Sequence, residues 1–297
     1  ASCFRDDRPD MVVILGDRTE MLGVACAAMN EQIPIAHIHG GEITEGAVDD
    51  CVRHALTKMS YLHFTTTEIY RKRVIRLGED PDRVFDVGAL GTENIFHEPL
   101  MKEYELRADI HIPKDKKYGI VTFHPVTLEE GTARQQTVEL CRAMDERKEY
   151  FYLITKANAD CGGNMVNDKF EEFALERNNV MMVNSLGMRR YLSAVKYAAF
   201  VLGNSSSGIF EAPVLGTPTV NIGDRQKGRI MPETVVCCEP EKCKILEAID
   251  RAEKMPHTRT NMFGDGNVSE KIVDIMKKYL IGGKVNLKKG FYDGVPN

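Results

Sequence analysis

Short, almost unbroken apolar runs rich in β-branched residues alternate with amphipathic stretches along nearly the whole chain. MVVILG (11–16) precedes a helical pattern at 19–30, and IPIAHIH (33–39) precedes another at 47–60. YLHFTTT (61–67) leads to a third at 68–77, before RVFDVG (83–88). After a polar, proline-containing stretch at 97–117 the rhythm restarts with YGIVTFHP (118–125) and YFYLITK (150–156). It continues through VMMVNS (180–185), FVLGNS (200–205) and TPTVNIG (217–223). A strand that is apolar at every position must be covered on both faces, as in a parallel sheet flanked by helices. Two such series joined by one linker predict an α/β chain of two doubly wound parallel-sheet domains, at 1–105 and 106–297. The last helix is expected to cross back to the first domain.

A chain of 297 residues can bury two cores, and 43% hydrophobic with 28% charged residues is a globular balance. The net charge of −5 supplies no basic field for nucleic acid, though it leaves room for a local basic pocket. No apolar stretch approaches the roughly 18 residues of a membrane span, and ASCFRDDRPD is too charged for a secretory core. The eight cysteines (Cys3, Cys26, Cys51, Cys141, Cys161, Cys237, Cys238, Cys243) form no CxxC pair. They read as buried free thiols of a cytoplasmic protein, without a zinc site.

In doubly wound folds ligands bind beyond the carboxyl ends of the strands, so the residues there carry the functional question. Gly16-Asp17-Arg18 follows the first strand. Asp17 is either an N-cap or ion-pair residue or a general acid/base, with Arg18 available to an anion. HIHGGEITEGAVDDCVRH follows the second and places His37, His39, Glu42, Glu45, Asp49, Asp50, Arg53 and His54 at one strand end. Strand alternation puts His37 and His39 on one face, and Asp49 and Arg53 share a helical face. Such a cluster suits either a divalent metal or metal-free proton transfer between paired acids and bases.

In the second series His124 ends a strand at a point expected to face the cleft between the domains. Asn204-Ser205-Ser206-Ser207-Gly208 forms a turn of amides and hydroxyls suited to an anion, and it lacks the Walker pattern. Glu211 is expected one and a half turns into the next helix, within reach of ribose hydroxyls. Arg225, Lys227 and Arg229 set three cations at the following strand end, as a diphosphate requires. A nucleoside diphosphate joined to a sugar accounts for both rims, and the residues alone do not choose the reaction.

GDR, HIHGGE-x-TEGAVDD-x-x-RHALTKMS, RVFDVG, FHPVT, GNSSSGIFEAP, GTPTVNIG-x-RQ-x-GR and a terminal FYD occur in order along nearly the whole chain. In them the sequence resembles hydrolysing UDP-N-acetylglucosamine 2-epimerases of sialic-acid and legionaminic-acid type pathways. The resemblance implies a GT-B fold: two Rossmann-like parallel-sheet domains with the active site in the cleft, without metal or redox cofactor. It implies elimination of UDP to a 2-acetamidoglycal and hydration to N-acetylmannosamine. UDP-N,N′-diacetylbacillosamine is the alternative substrate, and a catalytically impaired UDP-sugar-binding fragment the alternative state.

By motif, Asp17 and Asp49 would transfer protons, with His39 or Glu42 in a second such role where some relatives carry a glutamate. His124 would assist UDP departure, Ser205, Ser206 and Arg225 would hold the diphosphate, and Glu211 the ribose. Arg18 and Arg53 would support. A cytoplasmic homo-oligomer is implied. So is a further strand–helix portion with a Gly-[Ser/Thr]-Arg motif ahead of residue 1, which nothing in this chain matches. A non-hydrolysing epimerase and a GT-B glycosyltransferase are rival readings, the former disfavoured by the GDR and HIHGGE motifs.

Overall fold

A computed structural model of the chain describes residues 2–45, 47–126, 129, 131–158, 162–283 and 285–294. Gly46, Thr127 and Cys161, which belong to the motifs and thiols above, lie outside the described residues. Helix α1 (Ser2–Asp6) leads into β1 (Val12–Leu15), α2 (Thr19–Asn30), β2 (Ile35–Ile38) and α3 (Asp49–Met59). Then come β3 (Leu62–Thr65), α4 (Glu68–Arg76), β4 (Val84–Asp86), α5 (Leu90–His97) and α6 (Glu103–Asp109). The second series is β5 (Tyr118–Thr122), α7 (Thr132–Glu146), β6 (Phe151–Thr155), α8 (Gly163–Leu175) and β7 (Val180–Val183). It continues with α9 (Gly187–Tyr197), β8 (Phe200–Gly203), α10 (Glu211–Leu215) and β9 (Thr219–Ile222). The chain closes with β10 (Val235–Cys238), α11 (Lys242–Glu253) and α12 (Val268–Ile281). The strand pairings are parallel throughout both sheets, as the continuous apolar runs predict.

The chain divides into two compact units. Unit 1 comprises Ala1–Ile43, Val48–Glu93 and Met262–Asn297, and unit 2 comprises Thr44–Ala47 and Asn94–Asn261. The chain passes from unit 1 to unit 2 within α5, and α6 lies in the stretch that reads as linker. Unit 1 has a four-stranded sheet in the order β1-β2-β3-β4. Val12, Ile14, Ala25, Ala28 and Leu56 pack as one of its cores. Ala36, Ile38, Leu62 and Phe64 pack with Val268 and Ile272 of α12 as another. Edge strand β1 departs from the two-faced burial expected of an apolar run: Val13 is 47% and Leu15 53% exposed.

Beyond α12 the chain returns to the rest of unit 1. The Tyr292 N–H donates to Gly78 O (2.9 Å), and Lys289 Nζ donates to Lys58 O (2.8 Å), Ser60 O (2.7 Å) and Glu79 Oε2 (2.8 Å). Buried Glu79 also accepts from Lys58 Nζ (2.5 Å) and from His63 Nε2 (3.1 Å). Burial pushes this carboxyl upward, but hydrogen bonds from His63, Lys289 and Lys58 together bring it down to about 2.

Unit 2 holds a six-stranded sheet in the order β10-β9-β8-β5-β6-β7. Strand order reverses between β5 and β8, the switch point beyond which doubly wound sheets bind ligands. One core includes Phe123, Leu140, Phe170, Phe200 and Ile245. The other includes Leu106, Tyr118, Leu153, Leu192 and Ala212. The cysteines do not sit as expected. The seven described are free, but none is buried: Cys3, Cys26, Cys51, Cys237 and Cys243 are exposed, and Cys141 and Cys238 half-buried. An apolar run predicts burial for its average position; Cys26, Cys51 and Cys237 take exposed positions, whereas Cys141 and Cys238 still pack against the core of unit 2. Among the described residues no helix is long and apolar enough to cross a membrane.

Candidate functional site

In unit 1 the cluster after β1 and β2 is organised by one guanidinium. Arg53 is 1% exposed, on the inward face of α3 beside Val52 and Leu56. A buried guanidinium is tolerated only when its fork of donors finds acceptors. Arg53 Nη2 pairs with the Asp17 carboxylate, and Nη1 donates to Asp50 Oδ1 (2.8 Å) and Glu42 O (3.0 Å). Asp17 is not a helix cap, because the N-cap position of α2 is Arg18. Arg18 itself is largely exposed and donates to Glu20 (3.4 Å). Asp49 is the first residue of α3, where a carboxylate complements the helix dipole.

His37 and His39 do not share a strand face, contrary to the i, i+2 reading. β2 ends at Ile38, and His39 adopts a left-handed φ of 69° that breaks the alternation. His37 is fully buried, with Nε2 2.7 Å from Gly16 O and Nδ1 3.3 Å from Thr57 Oγ1. His39 Nε2 accepts the Leu90 N–H (3.3 Å), which leaves its proton on Nδ1, 3.4 Å from Glu42 Oε1. Glu42 is 2% exposed, and its Oε1 also accepts from Thr66 Oγ1 (3.3 Å). His39 and Glu42 are thus a coupled pair rather than two independent groups.

In unit 2 a cavity of about 530 Å³ opens beyond β5, β6, β7 and β8. His124, Asn158, Tyr191, Ser205, Ser206 and Arg225 are among its lining residues. Gly203 ends β8 with φ 135°, and a Cβ there would overlap the Thr122 carbonyl, so only glycine lets β8 close against β5 at this rim. The next residue, buried Asn204, ties the two strand ends together. It accepts the His124 N–H (2.7 Å), donates to His124 O (2.8 Å), and offers its own carbonyl to Arg225 Nη1 (3.2 Å) and Gln226 Nε2 (2.9 Å).

Ser205 caps the short 3-10 turn Ser206–Gly208, accepting from Ser207 N (3.4 Å), and Ser207 Oγ accepts from Tyr191 OH (2.8 Å). Burial, and then the neighbouring Arg225 guanidinium, hold the His124 imidazole down at about 3. Its Nδ1 accepts the Asn158 N–H (3.2 Å), so the neutral ring carries its proton on Nε2.

Two readings of position change in this unit. Glu211 is the first residue of α10, not one and a half turns into a helix, because a 3-10 turn takes up the preceding residues; it does not line the cavity. Of the three cations after β9 only Arg225 does. Lys227 pairs at the surface with Asp224 (3.5 Å) and Glu45 (3.9 Å), and Arg229 lies over the Phe210 ring (5.0 Å). Tyr191 and Asn158 were not singled out from sequence. An aromatic residue on an amphipathic helix and an asparagine in a loop carry no signal that separates lining from packing.

The family model described as UDP-N-acetylglucosamine 2-epimerase matches residues 1–277. The chain is 40% identical over 240 residues to the GDP/UDP-N,N′-diacetylbacillosamine 2-epimerase (hydrolyzing) of Campylobacter jejuni subsp. jejuni serotype O:2. That match covers 80% of this chain and 62% of the relative's length. It is 32% identical over 275 residues to the UDP-N,N′-diacetylbacillosamine 2-epimerase (hydrolyzing) of Legionella pneumophila, covering 92% and 72% respectively. A crystal structure of UDP-GlcNAc 2-epimerase from Neisseria meningitidis bound to UDP-GlcNAc superposes with a TM-score of 0.78 at 20% identity. It covers 93% of this chain and 78% of that one, a likeness that speaks to the GT-B fold of two parallel-sheet α/β domains. Since the family model runs along nearly the full length of the chain, the chain belongs to the UDP-N-acetylglucosamine 2-epimerase family.

Proposed function

We propose that this protein is a hydrolysing 2-epimerase. It converts a UDP-linked 2-acetamido sugar, UDP-GlcNAc in the first instance, and water into UDP and the free sugar inverted at C2. The observation that carries the reading is the unit 2 cavity, where a neutral imidazole, a seryl turn and Arg225 converge at the switch point. An anion-holding turn beside one guanidinium suits a diphosphate. The names of the two hydrolysing relatives support free sugar as the product. They also favour a second reading of the substrate, UDP-N,N′-diacetylbacillosamine, which differs in the 4-substituent and at C6.

The first half-reaction removes the C2 proton and breaks the C1–O bond, its electron pair leaving with UDP and a 2-acetamidoglycal remaining. That proton is barely acidic, so the base must be positioned and the leaving group stabilised together. Asp17 and Asp49 are the bases proposed, with the His39–Glu42 pair in the second proton-transfer role. His124 donates from Nε2 to a diphosphate oxygen, and Ser205, Ser206 and Arg225 bind the phosphates, with Glu211 assigned to the ribose. Arg18 and Arg53 support the carboxylate side. In the second half-reaction water adds at C1 and a proton returns to C2 from the opposite face. We assign the reaction to a homo-oligomer in the cytoplasm.

The test is to supply UDP-GlcNAc and UDP-N,N′-diacetylbacillosamine side by side with no acceptor sugar. UDP release matched by free C2-inverted sugar from one of them is expected. UDP release only when an acceptor is added, or a product still linked to UDP, contradicts the proposal.

A further inference from the structure

The reaction proposed above makes no use of His37, yet that side chain is fully buried and both its ring nitrogens have partners. A carbonyl oxygen can only accept, so the 2.7 Å contact between Nε2 and Gly16 O places the ring proton on Nε2. Burial holds the ring neutral, pushed down to about 3, and nearby His63, His39 and Arg53 oppose a second proton as well. Nδ1 therefore faces Thr57 Oγ1 (3.3 Å) as an acceptor. Thr57 Oγ1 also lies 3.0 Å from Arg53 O, so its single proton is shared between the two.

The contacts close on themselves. Gly16 turns out of β1 with φ 77°, its N–H donating to Ile38 O (3.0 Å) and its carbonyl held by His37. The next residue is Asp17, whose carboxylate pairs with Arg53, and Arg53 leads back through its own carbonyl to Thr57 and His37. A Cβ at Gly40 would stand 3.1 Å from both His37 Nδ1 and Thr57 Oγ1, so the backbone seals this pair from above. A leucine could fill much of the same space but would leave the Gly16 carbonyl without this donor. What the imidazole adds is a donor aimed at the carbonyl that immediately precedes the proposed base.

We infer that His37 is a positioning residue for Asp17: it fixes the Gly16–Asp17 peptide through the Gly16 carbonyl and thereby sets where the carboxylate stands. The inference rests on the proposed epimerase reading for its catalytic consequence, though not for its geometry. Misplacing a reacting group by about an ångström costs on the order of 100-fold in rate, while nucleotide binding, which uses other residues, stays as it is.

The test compares His37→Leu, which keeps volume and removes the donor, with His37→Gln, which presents an N–H near the position of Nε2. Urea unfolding and UDP affinity are measured alongside steady-state kinetics. His37→Leu is expected to bind UDP as the unmodified protein does and to lose about 100-fold in kcat with KM little changed. His37→Gln should recover about tenfold of that loss. Equal losses in both variants, or a loss confined to KM or UDP affinity, overturn the inference. Nitrogen NMR of the histidine-labelled unmodified protein needs no turnover and stands if the leucine variant fails to fold. It should show His37 as the neutral Nε2–H form from pH 5 to 8, and an Nδ1–H form or an imidazolium in that range overturns it. Absence of UDP release by the unmodified protein would instead count against the epimerase reading, leaving the NMR result to judge His37.

Discussion

The His124 imidazole is uncharged at neutral pH, and this decides what it can do for a departing diphosphate. Burial and Arg225 keep it near 3, and Asn158 fixes the tautomer, so it acts as a hydrogen-bond donor while positive charge comes from Arg225. Arg225→Ala should therefore weaken UDP binding by about 10- to 100-fold, the loss of one or two charge-assisted hydrogen bonds, as read by calorimetry. An unchanged affinity would move the diphosphate elsewhere. These residues were legible because a ligand-binding group at a strand end breaks an otherwise apolar run: Asp17 after VVIL, His124 after IVTF, Ser205 after FVLG. Tyr191 was not, since a tyrosine at helical spacing looks the same whether it packs or lines a cavity. The bond from Arg53 to Asp50, three residues back on α3, was equally hidden. Spacings of three and four residues both bring side chains together on a helix, so spacing alone does not single out this partner.

At the scale of elements, strand–helix alternation predicted β1 to β9 to within a residue or two at most ends, because apolar runs and amphipathic periods are local signals. β10 escaped because VVCC is short and half-exposed at a sheet edge. The strand order escaped too: nothing local in FVLG says that β8 lies beside β5. The return of the terminal segment to unit 1 depends on contacts made across more than 200 residues. Lys289 is the clearest of these, with bonds to two backbone carbonyls and to Glu79. Lys289→Met should destabilise unit 1 by about 1 kcal/mol, since Glu79 keeps Lys58 and His63 while the exposed Lys58 carbonyl and the part-buried Ser60 carbonyl lose their donor. Urea unfolding followed in unit 1 checks this, and a change below a few tenths of a kcal/mol would make the tail contacts incidental.

The molecule as a whole carries buried histidines in both units, His37 and His63 in unit 1 and His124 in unit 2. Burial lowers each pKa below its unfolded value of about 6.5. The native state then binds fewer protons than the unfolded one, so the stability these groups contribute is intact above pH 6.5 and is lost as pH falls below it, towards 3 for His37 and His124. His37 and His124 should each cost about 1.4 kcal/mol per pH unit in that window, and His63 acts in the same direction. Urea midpoints should hold between pH 8 and 7 and drop between 6 and 4, and a flat profile there would mean that the rings ionise in the folded state. The epimerase reading stands on removal of the C2 proton by a base, and a reaction in deuterated water reads that step. Free 2-acetamido sugar carrying one deuterium at C2, formed in step with UDP, is the expected result of this reading. Free sugar with its original hydrogen at C2 would contradict it, because no base would then have taken that proton.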